Sequence, residues 1–74
     1  MQRKYAKRQT KSIYRHMDCV MAELIELAAI FDPQHPDLGD ALRLMAKVIL
    51  QSQSMLAKWY AKVWGSVPSN WYGT

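Results

Sequence analysis

The segment DPQHPDLGD, residues 32–40, holds two of the chain's three prolines and one of its three glycines. Pro33 and Pro36 lack the N–H that a helix interior uses, so one helix is expected to stop near Phe31 and another to begin just beyond. Asp37 is a good N-cap for the second helix, with Asp40 three residues on as a variant capping box. The other break is GSVP, residues 65–68. There Gly65 suits a C′ position and Pro68 bars continuation.

Between these marks the apolar period is helical. In the first segment Ile13, Met17, Val20, Leu24, Leu27 and Phe31 recur at alternating steps of four and three. In the second, Leu38, Leu42, Met45, Ile49, Leu56, Trp59 and Val63 keep that rhythm, with Ser52 in the one polar slot. Both are seven-residue repeats. No stretch alternates with period two, so no sheet is expected. The spacing therefore predicts an all-α antiparallel helical hairpin: a helix over about 3–31, a proline-containing turn at 32–37, a helix over about 38–64, and an aromatic tail at 65–74.

Each helix carries a second apolar flank. Tyr14, Met21, Ile25 and Ala28 lie beside the first stripe, and Ala41, Leu44, Val48 and Met55 beside the second. The resulting arc, about 160° wide, exceeds what one partner helix covers. Half of the 74 residues are hydrophobic, yet a chain this short buries only about 60% of its unfolded surface. A single domain over 1–74 that pairs into a homo-oligomeric helical bundle follows as the expectation.

Charge is segregated. Residues 1–16 carry six Lys and Arg and no acid; residues 51–74 carry Lys58 and Lys62 and no acid. Residues 17–50 hold all six acids against Arg43 and Lys47, so the two ends sum to +8 and the middle to −4. A hairpin brings both basic ends together. Lys4, Arg8, Lys11 and Arg15 fall at i, i+4, i+7 and i+11, one line along a helix facing away from the apolar stripe, with Arg3 and Lys7 beside it. The last sixteen residues also hold five of the eight aromatics: Trp59, Tyr60, Trp64, Trp71 and Tyr72.

A basic surface with aromatics fits a nucleic acid, whose phosphates meet Lys and Arg and whose exposed bases stack on rings. The anion-binding candidates are Arg3, Lys4, Lys7, Arg8, Lys11, Arg15, Lys58 and Lys62. Trp59, Trp64, Trp71 and Tyr72 are candidates for docking a partner, although Trp71 could equally fold back on its own bundle. The expected function is a small non-enzymatic nucleic-acid-binding protein with little sequence specificity. A structural or adaptor subunit of a larger assembly, in a virion or secretion complex, is the alternative, and a peripheral membrane-surface protein the third. The two-proline turn between equal helices resembles that of secretion-needle subunits, a likeness confined to the turn.

Catalytic chemistry has little to stand on. There is no glycine-rich phosphate loop and no nucleophile paired with a base. His16 and Cys19 at i, i+3 supply at most half a metal site, and Glu23 and Glu26 lack the histidine companions of di-iron bundles. No enzyme activity, metal or cofactor is expected. One cysteine excludes an internal disulfide. His16, Asp18, Glu23 and Glu26 interrupt any secretory h-region, so a cytoplasmic location or one inside an assembled particle is expected.

Overall fold

The computed structural model describes residues 3–68 together with Asn70 and Trp71. Two helices pack against each other: α1 (Arg3–Phe31) and α2 (Pro36–Trp64), each of 29 residues. Among the described residues there is no strand. The all-α hairpin expected from the periodicity is the fold.

The turn is shorter than 32–37. Asp32 N donates to the Ala28 carbonyl (2.9 Å) and His35 N to the Phe31 carbonyl (2.7 Å), which satisfies two of the last carbonyls of α1. The helix α2 then starts at Pro36, where a missing N–H costs nothing because the first turn has no partners for it. The expected N-cap at Asp37 is therefore corrected. His35 holds the cap position, makes no side-chain cap bond, and leaves Asp37 inside the first turn, where its charge suits the helix dipole. Arg43 ties the turn together. It donates to Asp32 (2.9 and 3.1 Å) and to Asp40 (2.8 Å). These hydrogen bonds hold the Asp32 carboxyl below the usual carboxylate range and raise the Arg43 pKa. At the far end Gly65 ends α2 with φ 96°, and its N–H reaches the Ala61 carbonyl at 2.8 Å. That left-handed conformation strains any residue with a Cβ.

The contact stripe is displaced from the expected one. In α2 the buried residues are Gly39, Leu42, Ala46, Gln53 and Tyr60, with Ile49 and Leu56 half-buried. In α1, Tyr14 and Ala28 are buried, with Met17, Met21, Leu24 and Phe31 half-buried. Expected core positions Ile13, Val20, Leu27, Leu38, Met45, Trp59 and Val63 are each at least 40% exposed. Ser52 is exposed and bonds back to the Val48 carbonyl at 3.0 Å; the polar residue in the seam is Gln53. The physical reason is size. Near the turn, Ala28, Gly39 and Ala46 let the backbones approach, and a Cβ on Gly39 would meet the Asp32 carboxylate and press on the Ala28 carbonyl oxygen at 3.2 Å. At those small positions a larger side chain does not fit, so Leu38 and Met45 stand beside the line while Leu42 fills it between Gly39 and Ala46.

Small residues contribute little burial energy, so the larger share lies at the open end. There Tyr14, Tyr60 and Trp71 are all buried, and Leu56, Ala57, Trp64 and Val67 pack around them. Burying one large apolar side chain is worth about 1.5–3 kcal/mol, and aromatic pairs add about 0.5–1.5 kcal/mol.

Candidate nucleic-acid interface

The candidate surface is built at the open end, where α1 begins and α2 ends. Gln53 sets the register there. It is 1% exposed, and its Nε2 donates to the Tyr14 carbonyl (3.0 Å) and to Asp18 Oδ1 (2.8 Å). Its Oε1 is buried and accepts no hydrogen bond from the described residues. This pairing puts Lys11 level with the neighbourhood of Lys58, and Lys7 with that of Lys62, since helices rise equally per residue.

Lys4, Arg8, Lys11 and Arg15 are all exposed. At 100° per residue they stand about 130° from the middle of the α1 contact stripe. Lys58 and Lys62 are also exposed, with a shallow groove running between them past Trp59. The Lys62 Nζ sits 5.3 Å over the Trp59 ring, a cation–π contact on a ring that is 57% exposed. Lys7 is half-buried, turned partly toward the hairpin. The side chain of Arg3 and the whole of Tyr72 lie outside the described residues. Among the described residues the salt bridges are those of Arg43 at the other end.

Trp71 takes the internal option. It is 5% exposed, stacked on Tyr14 with centroids 3.9 Å apart and planes 6° apart, and tilted 58° against Tyr60 at 4.8 Å. A turn closed by Trp71 N on the Pro68 carbonyl (3.1 Å) delivers it. Trp71 is thereby corrected from a partner-docking residue to a clasp on its own helices. Trp64 is half-buried against Tyr60 at 4.8 Å and is likewise occupied internally. Of the docking candidates, Trp59 is the described one that is exposed.

The returning tail adds a feature not expected from sequence. An open cleft forms between it and α1, with Lys11, Arg15 and Asp18 on the helix side and Pro68 and Asn70 on the tail side. The Tyr14–Trp71 stack joins the two sides. Tail contacts carried by Trp71 on Tyr14 and Tyr60, with Val67 beside them, leave no periodic trace in the sequence.

Elsewhere, His16 and Cys19 are exposed. Among the described residues no group of three or more His, Cys, Asp or Glu is placed to hold a metal ion. No described helix is long and apolar enough to cross a membrane. No protein-family model matches the chain, and neither the curated proteins nor the solved structures give a significant match to it.

Proposed function

We propose that the protein is a small non-enzymatic nucleic-acid-binding protein that grips phosphates through the exposed face of α1 and reads little sequence. The observation that carries this is the line Lys4, Arg8, Lys11 and Arg15, exposed and without a salt bridge to any described residue. The line is costly in the free protein. Lys4 stands at the positive end of the α1 dipole, in a first turn that holds no acid. Lys4 with Arg8 and Lys11 with Arg15 are like-charge i, i+4 pairs, each destabilising by about 0.2–0.5 kcal/mol. A polyanion turns each of these costs into attraction. Phosphate contact from one helix face gives affinity rather than sequence readout. In this reading the protein works in the cytoplasm or inside an assembled particle.

Binding to a generic oligonucleotide tests it. Four phosphate contacts per chain give a log–log salt slope of about −3 to −4, from about −0.9 per contact on duplex and about −0.7 on single strands. Changing Lys4 and Arg8 together to Ala removes about half of that slope on any base sequence. No binding at low salt would refute the proposal. The exposed apolar side chains favour the second reading, a structural subunit of a larger assembly, which predicts no oligonucleotide binding and burial of those side chains against another protein.

A further inference from the structure

The exposed apolar side chains are not scattered. In α1, Ile13, Val20 and Leu27 recur at heptad spacing on one flank of the contact stripe. In α2, Leu38, Met45, Trp59 and Val63 lie on a flank turned in the same rotational sense from its own stripe. In an antiparallel pair, equal rotational sense means the same side of the hairpin. One broad side is therefore apolar, with half-buried Met17, Leu24, Ile49 and Leu56 between the two rows. A groove along Leu44, Met45, Val48 and Ile49 continues it around α2. The basic line of α1, with Lys47 and Lys58, is rotated the other way and occupies the opposite side.

We infer that a second copy of the chain covers this apolar side, related by a two-fold axis and running antiparallel, so that the two basic faces look outward from opposite sides of a four-helix assembly. Three observations select that occupant. The first is size: helices of 29 residues are about 43 Å long. With a hairpin 20 × 18 Å in cross-section, such a side offers on the order of 800 Å² per chain, the share of a standard interface. The second is polarity. Ser52, the polar member of the α2 row, has its hydroxyl satisfied by its own helix at Val48, so burying it strands no donor. The third is charge. Antiparallel pairing sets the +8 ends of each chain beside the −4 middle and turn of the other. An anionic membrane is the poorer occupant, because an apolar side laid on lipid would aim the basic line away from the headgroups.

The assembly deepens the nucleic-acid reading, on which this part rests: two phosphate-binding faces on opposite sides bridge two nucleic-acid segments. Sedimentation equilibrium at tens of micromolar should give twice the chain's 8.6 kDa. Val20→Glu and Met45→Glu, both at exposed positions of the single hairpin, should return the mass to 8.6 kDa with helical circular dichroism retained. A wild-type monomer, or variants of unchanged mass, overturns the inference. Added salt should weaken the pair, and a pair strengthened by salt would have like ends together, against the antiparallel arrangement. Immobilised duplex should capture free labelled duplex through the wild type. Met45→Glu should bind duplex singly and lose capture. Capture by that monomeric variant overturns the bridging role. A dimer that binds no oligonucleotide refutes the nucleic-acid reading and upholds the assembly.

Discussion

Replacing Trp71 with Ala should open the clasp at the end of the hairpin without unfolding the helices. A buried tryptophan removes about 150–250 Å² from water, worth about 4–6 kcal/mol at about 25 cal/mol per Å². The stack on Tyr14 at 3.9 Å and the tilted contact with Tyr60 at 4.8 Å add about 0.5–1.5 kcal/mol each. Opening also frees the backbone between Gly65 and Trp71, which returns about 1 kcal/mol or more per released residue. The opposing terms leave a net loss of at most about 3 kcal/mol, at or below the 3–5 kcal/mol usual for removing a core tryptophan. Urea unfolding followed by helical circular dichroism measures it, with wild type and variant at one protein concentration, because self-association would shift the midpoint. A chain ending at Gly65 is the control. It loses the same clasp, so it should match Trp71→Ala within about 0.5 kcal/mol. A loss below about 0.5 kcal/mol in both would show that the tail pays its own ordering cost and adds nothing.

Gln53→Glu puts a carboxylate against Asp18 and the Tyr14 carbonyl, so stability at neutral pH should drop by at least about 2 kcal/mol. Burial raises that glutamate's pKa, so the stability lost at neutral pH should return on acidification; a pH-independent penalty would refute the seam assigned to Gln53. Ser52→Leu should leave the hairpin's fold unchanged and tighten self-association, read as a lower dimer dissociation constant, and severe unfolding would show Ser52 to be part of the seam. Asp32 has a lowered pKa through Arg43, so its pairing contributes above the ordinary carboxylate range, about 3.9, and is lost as pH falls through the folded value. Asp32→Asn should flatten that acid limb in a pH series of melting temperatures. Gly39→Leu should lower the melting temperature by forcing the helices apart at Ala28, and an unchanged value would contradict the close approach there.

The turn and both helix ends are legible because proline and glycine act through backbone geometry alone. Pro33, Pro36 and Gly65 bound the elements to within a residue or two. The phase of the contact stripe is half legible. Leu42, Ile49 and Leu56 belong to both the expected row and the observed one, so the heptad is right and its facing is turned by about one residue. Counting large apolar side chains misleads there, since Ala28, Gly39 and Ala46 form the seam because they are small. Gln53 was hidden for the same reason: with Ser52 beside it, either could fill the polar slot, and only the match to Tyr14 and Asp18 decides. In the candidate site, the exposure of Lys4, Arg8, Lys11 and Arg15 followed from their helical spacing. The inward fold of Trp71 depends on a cup made by Tyr14 and Tyr60 from two different helices, which no local pattern encodes.

The two ends of the hairpin are fastened differently. Near the turn the backbones meet across Ala28 and Gly39, while at the open end the Trp71 ring rests against both Tyr14 and Tyr60. With a fastening at each end, neither helix has a loose terminus from which the pair could unzip, so the hairpin should open as one unit.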